Sequence, residues 1–273
     1  MTWLTEEQLL NTKGLNAVAV ETAVRDLVPT AARCVARGVH VHLDKPAGES
    51  LGEFKRLLDE ATRKRLVIQM GYMLRYNPAF RFCVKAVREG WLGDVFELHG
   101  VMSKTADAAT RKGLASYAGG TMFELGCHLI DQLVFMLGRP EKVTAFARRT
   151  RPQQDSLADN QVAVFEYPKA LATIRSALIE VEGERRRQFA VCGDKGTVDI
   201  RPLEPPRMML VLSRATDNYK KGWQEVDLPA MTGRYDGDFV DLARIIRGEK
   251  EPDFTAAHDL AVHETILRAS GLL

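Results

Sequence analysis

Two stretches of this chain carry residue types that could hold or move a proton. The apolar run Val39 to Leu43 ends in Asp44-Lys45-Pro46. Such a run reads as a strand, and ligand sites in open parallel sheets form just beyond the carboxyl ends of strands. Lys45 would then stand where a substrate can meet it. Pro46 fixes its own φ and biases the residue before it toward extended geometry, which holds that lysine in place. The same lysine would also suit an ordinary solvated loop. The second stretch, Gly120 to Leu137, reads as one helix. At about 100° per residue, Glu124, His128, Asp131 and Gln132 share one arc of roughly 100°, and nearly every other direction is apolar. The i, i+4 spacing lets Glu124 hydrogen-bond His128, which would fix the ring and raise its basicity. A hydrogen-bonded, partly buried pair with no catalytic duty meets the same pattern. Two candidate ligands on one helix, with no H-E-x-x-H or other partner motif, give no metal site, and none is expected. His40 and His42 alternate with apolar residues and receive no role.

These side chains need a frame. Thr5 and Gln8 form a capping box for a short first helix, and Ala17 to Val20 reads as a buried parallel strand. A helix follows from Pro29 to Gly38, then the strand Val39 to Leu43. Ser50 with Glu53 caps a helix over Leu51 to Arg65, and Leu66 to Gly71 is a third strand. Strands alternating with helices predict right-handed βαβ crossovers in a parallel sheet. Beyond Arg75 come a helix at Asn77 to Glu89, a strand at Val95 to Met102 and the helix already described. From Lys142 onward, β-branched or alternating runs separated by turns such as Tyr167-Pro168 predict a meandering antiparallel sheet. Helical periodicity returns at Asp238 to Arg247 and Ala256 to Ser270. The fold class is α/β plus α+β.

Composition narrows the function classes. A chain of 273 residues can build one large or two modest domains, and 45% hydrophobic with 27% charged residues is globular rather than disordered usage. Thirty-eight basic against 36 acidic side chains leave a charge of +2, too little for a nucleic-acid surface. The run Arg185-Arg186-Arg187 is expected as a solvated turn or strand end. Cys34, Cys83, Cys127 and Cys192 form no C-x-x-C, which leaves reduced, mostly buried thiols and a cytoplasmic setting as the expectation. The opening MTWLTEEQLL is acidic where a signal peptide needs basic residues, and no apolar stretch reaches about 18 residues, so no membrane role is expected.

Taken in order, several segments resemble the Gfo/Idh/MocA family of NAD(P)-dependent oxidoreductases. They are GVHVHLDKPAG, MGYMLRYNPAF, GGTMFELGCHLIDQLVFMLGRP and the closing RYDGDFVDLARIIRGEKEPDFTAAHDLAVHETIL. The resemblance implies hydride exchange between NAD or NADP and a hydroxyl carbon of a sugar, cyclitol or related polyol. Lys45 would then place a cation near the oxygen and His128 would take its proton. It implies Glu124 as a third catalytic residue, standing where the family has Asp, and Thr22, Asp44, Lys45 and Pro46 toward the cofactor, with Asp44 replacing the family's Glu. Tyr72, Arg75 and Asp131 would serve the substrate side. Residues 1–74 would form a partial Rossmann-like dinucleotide-binding domain. Residues 75–273 would form a substrate-binding and oligomerisation domain with a large, mainly antiparallel open sheet.

One departure is large. A dinucleotide fold uses G-x-G-x-x-G to bring backbone amides to the pyrophosphate, and this chain contains no G-x-G. Compared with the family, about 60 residues of the βαβαβ unit are missing ahead of Ala17 to Val20. The expectation is a truncated reading of a longer enzyme, with this chain alone binding NAD(P) weakly or not at all. The alternative is a non-catalytic relative that binds a ligand or partner through its C-terminal sheet. The strand from Leu171 to Ile179 carries apolar residues on both faces, which predicts a homodimer or homotetramer through that sheet. Lys104, Arg111, Lys112 and Tyr117 border the expected cleft, where they could meet a polyhydroxylated or acidic ligand or simply be solvated.

Overall fold

The computed structural model describes residues 3–216, 218–231 and 233–273; Met1 and Thr2 of the acidic opening decapeptide lie outside them. The chain divides into two compact units, one running up to Gly71 and including Tyr235–His263, the other made of Tyr72–Arg234 and Glu264–Leu273. The first opens with α1 (Glu6–Leu10), held by the expected capping box between Thr5 and Gln8. Then come β1 (Ala17–Val20), α2 (Val24–Ala36), β2 (His40–Leu43), α3 (Leu51–Arg63) and β3 (Ile68–Met70). The strands are parallel in the order β1-β2-β3, as crossovers through helices require.

Three local readings need correction. β1 is half-buried with Ala19 exposed rather than buried, because it is an edge strand paired with β2 alone among the described residues. α2 starts five residues before Pro29. The proline is tolerated because Arg25, whose carbonyl loses its partner, is exposed to water. α3 stops at Arg63: Arg65 takes a left-handed φ of 58°, and the Leu66 N–H closes the helix end on the Ala61 carbonyl at 2.8 Å.

The second unit contains α4 (Pro78–Arg88), β4 (Val95–Ser103), α5 (Ala108–Leu114), α6 (Cys127–Leu137), β5 (Lys142–Arg148), β6 (Asn160–Glu166), β7 (Leu171–Ala177), β8 (Gln188–Gly193), β9 (Gly196–Leu203), β10 (Pro206–Leu212) and β11 (Gly222–Glu225). Its sheet has eight strands in the order β11-β10-β9-β8-β4-β7-β6-β5. It is not a pure antiparallel meander, since β4 enters the middle and runs parallel to β7. One face is core: Leu98, Ala172, Ile174, Phe165, Phe189, Val198 and Leu210 are fully buried. Gly100 lets α6 approach this face, because a Cβ there would come within 2.9 Å of Leu129. The other face stays open, with Phe146 50%, Leu171 58% and Trp223 64% exposed. In the basic run Arg185 and Arg186 are exposed in a short turn, as expected, and Arg187 is the departure. Arg187 is buried and donates to the Ser103 carbonyl at 3.1 Å, and its pKa is lowered by burial.

After β11 the chain forms α7 (Asp236–Ile246) and α8 (Ala256–Ala269). α7 packs on β2, with Asp238, Asp241 and Leu242 buried. Residues 235–263 therefore belong to the first unit, and a boundary drawn once, at 74/75, does not describe this fold. His263 of α8 is fully buried against the Phe54 ring, 5.1 Å away, and neither ring nitrogen has a hydrogen bond among the described residues. Burial drives its pKa down from 6.5 to about 4. The neutral form is the one that folds, so its stabilising contribution is complete above pH 6.5 and fades as pH falls toward 4. Over that window His263 should account for a loss of about 3 kcal/mol. Urea unfolding of wild type and His263→Leu at pH 7 and pH 4 checks this; parallel pH dependences would refute it. Among the described residues no helix is long and apolar enough to cross a membrane.

Candidate active site

In the first unit, the candidate residues follow the carboxyl ends of β1 and β2. The Asp44 N–H donates to the Val20 carbonyl at 3.0 Å, tying the two strand ends together. Asp44 and Lys45 are half-buried, Pro46 is buried, and the Lys45–Pro46 peptide is cis. Thr22 is exposed two residues past β1. Gly71 closes the corresponding end of β3. Its N–H donates to the Leu43 carbonyl at 2.8 Å, and a Cβ there would come within 3.1 Å of the His42 ring. His42, given no role from the sequence, is buried beside Asp238, with Nε2 to Oδ1 3.9 Å and the Phe239 ring 4.7 Å away. Its alternation within an apolar strand marks it as inward-facing, but nothing local names a partner on α7.

The second unit gathers Tyr72, Arg75, His128 and Asp131. Arg75 and Asp131 are both fully buried and meet through two nitrogens, Nη2 to Oδ1 at 2.7 Å and Nε to the carboxylate at 3.2 Å. Gln132 donates to Asp131 Oδ2 at 2.9 Å. The Arg75 guanidinium lies 4.9 Å from the Tyr72 ring centre, and Tyr72 meets the buried His128 ring edge-on at 6.1 Å and 89°. The Asp131 charge is thus balanced by arginine, while the imidazole stands against an aromatic edge.

Glu124 departs from the expected geometry. Residues Met122–Gly126 form a π-helical turn ahead of α6, so the even α-helical phase that would align Glu124 with His128 does not run through it. The turn is anchored on neighbouring strands. Gln161 Oε1 accepts the Met122 N–H at 2.8 Å, the Thr121 N–H donates to the Ala158 carbonyl at 2.9 Å, and Thr121 Oγ1 lies 2.7 Å from Ser176 Oγ. Gly120 precedes it with φ 61° against Ala158, where a side chain has no room. The half-buried Glu124 carboxylate accepts from the Tyr117 hydroxyl at 3.0 Å. The carboxylates gathered here, an arginine-paired aspartate and a tyrosine-bound glutamate, already have partners.

Residues 80–199 match the GFO/IDH/MocA C-terminal domain. The chain is 26% identical over 193 residues to the uncharacterized oxidoreductase YhhX of Escherichia coli, covering 70% of this chain and 54% of that protein. It is 25% identical over 182 residues to the scyllo-inositol 2-dehydrogenase (NADP(+)) IolW of Bacillus subtilis, covering 66% and 51%. The chain thus spans about half the length of these curated relatives. Among solved structures, aldose-aldose oxidoreductase from Caulobacter crescentus, crystallised with glycerol, superposes with a TM-score of 0.83 at 20% identity, over 97% of this chain and 80% of that one. A small parallel sheet ending in Asp44-Lys45-Pro46, a large mixed sheet backed by α4 and α6, and the matched domain lead to one conclusion: residues 80–199 carry a Gfo/Idh/MocA C-terminal domain, and the chain is similar to oxidoreductases of that family.

Proposed function

We propose that this protein takes part in NAD(P)-dependent oxidation of a hydroxyl carbon on a sugar, cyclitol or related polyol, with Lys45 and His128 as the acid/base groups. The observation that carries this reading is the cluster around His128. Arg75 balances Asp131 inside the unit, and the buried His128 imidazole beside Tyr72 is a group able to accept a hydroxyl proton. Lys45, past the end of β2, would stabilise the oxygen as that proton leaves. Glu124, aimed by Tyr117, would orient the polyol, and Tyr72, Arg75 and Asp131 would shape its pocket. A polyol substrate is in keeping with relatives named for inositol and aldose chemistry.

A nicotinamide cofactor, when bound, would supply the hydride acceptor. Thr22, Asp44, Lys45 and Pro46 fit the ribose and nicotinamide end of such a molecule, since they share the strand ends of a parallel sheet. The pyrophosphate has no matching cradle of glycine-loop amides in this sequence. Calorimetric titration of the 273-residue chain with NADH and NADPH should therefore show weak binding, millimolar or worse; micromolar binding would overturn this part. At cofactor levels that fill a weak site, a panel of aldoses and cyclitols should reduce the nicotinamide. Absence of any conversion would favour the non-catalytic reading.

We further propose a homodimer or homotetramer through the open face of the eight-stranded sheet. Strand registers put Phe146, Val162, Val164, Leu171, Met209, Val211 and Trp223 on that one face. Apolar groups at both ends of this open face, on β5 to β7 and on β10 and β11, are the kind of exposed surface that partners cover. Sedimentation should find an oligomer at micromolar concentration, and Leu171→Glu with Phe146→Glu should return it to a monomer. A wild-type monomer would refute the interface.

A further inference from the structure

A cavity of about 720 Å³ in the second unit lies between α5 and residues 151–156. Its floor is fixed by a buried ion-pair network. Arg111 donates from Nε and Nη2 to the two Asp155 oxygens at 2.8 and 2.9 Å, and its Nη1 lies 3.0 Å from Asp159. Asp159 in turn accepts from the Thr150 N–H and hydroxyl at 2.8 and 2.7 Å. The Arg111 guanidinium holds the Asp155 carboxyl below its ordinary range, so that carboxylate is ionised and already spoken for. Across the floor, Ser156 Oγ lies 3.4 Å from the Ala115 carbonyl.

The cavity walls add Lys112, Arg151 and Gln154. Lys112 and Arg151 are exposed, and among the described residues the side chains of all three have no ion pair or hydrogen bond. Arg111 meets two carboxylates, Asp155 and Asp159, so with Lys112 and Arg151 the group carries a net charge of +1, and the two exposed cations and an amide face a concave space. Lysine and arginine together provide both a point charge and a planar fork, the pair of donors that suits a phosphate. Tyr117, two residues beyond Ala115 in the chain, donates to Glu124 of the candidate active site.

We propose that this cavity binds the phosphate of a sugar phosphate through Lys112 and Arg151, and that the polyol substrate of this protein is accordingly an anionic one. The second half of this statement rests on the function proposed above; the binding of phosphate does not. The test is calorimetric titration of the full chain with inorganic phosphate, glucose 6-phosphate and glucose, with amide NMR shifts to locate the site. Phosphate and glucose 6-phosphate should bind, with shifts at residues 108–115 and 151–156, and glucose should bind at least about tenfold more weakly. The variant Lys112→Ala with Arg151→Ala changes exposed side chains only, and should weaken both anions by about tenfold or more while circular dichroism stays unchanged. Equal affinity for glucose and its phosphate, no shifts at the cavity, or anion binding that survives the double substitution would overturn the site. Phosphate binding without any nicotinamide-linked turnover would sink the dehydrogenase reading and leave the site standing; turnover of neutral polyols without phosphate binding would do the reverse.

Discussion

His128→Ala and Lys45→Ala should each lower kcat/KM for polyol oxidation by about 10²–10⁴, the usual worth of a positioned proton-transfer group. The loss should fall mainly on kcat, because both groups act on a proton and a developing charge that exist only as the hydroxyl is oxidised. His128 is buried on α6, facing Tyr72, and alanine there removes the imidazole without touching the Arg75–Asp131 pair beneath. Lys45 follows β2, whose end is held by the Asp44 to Val20 hydrogen bond, so the backbone should keep its course when the side chain is cut. The measurement is nicotinamide absorbance against polyol concentration at millimolar cofactor, where a weak site still fills. Full activity in either variant would remove that residue from the mechanism. Tyr72→Phe is the control, since it keeps the aromatic edge against His128 and should cost far less.

Breaking the Arg75–Asp131 pair from one side should cost about 3–5 kcal/mol of stability, because the surviving charge is left inside protein without its partner. Both side chains are fully buried. Asp131→Leu also deprives Gln132 of its acceptor, and Arg75→Met removes the cation lying over Tyr72. The informative variant is the double substitution Arg75→Met with Asp131→Leu. Removing both charges together should be less destabilising than either single change by about 2 kcal/mol or more, since desolvation of two ions is relieved at once. Urea unfolding followed by tryptophan fluorescence reads this directly. Additive single effects would show that the two residues do not stabilise each other.

Much of the frame is legible in the order of residues alone. The Thr5 and Ser50 caps and the strands at Ala17 to Val20 and Val39 to Leu43 depend on neighbours within a few residues, and they form where local chemistry puts them. Helix ends are less legible. Arg65 in a left-handed conformation closes α3 without the glycine that usually signals such an end. The π turn at Met122–Gly126 is beyond sequence reading altogether, because it is set by Gln161, Ala158 and Ser176, residues from other elements.

The candidate site divides in the same way. Residue type and spacing singled out the candidates: Lys45 after a strand and before a proline, and His128 with Asp131 on an apolar helix, while Glu124, expected in the same stripe, lies in the π turn ahead of it. Residue type and spacing carry that information because strand ends and helix periods are local geometry. Only the tertiary structure decided which partner each side chain takes. Asp131 pairs with Arg75, Glu124 with Tyr117, and Arg111 with Asp155 and Asp159, and residues 235–263 return to the first unit. Except for Tyr117 and Glu124, those pairings bring together positions far apart in the chain, where charge balance and the cost of burying an unpaired polar group select the partner, and no local pattern records that selection.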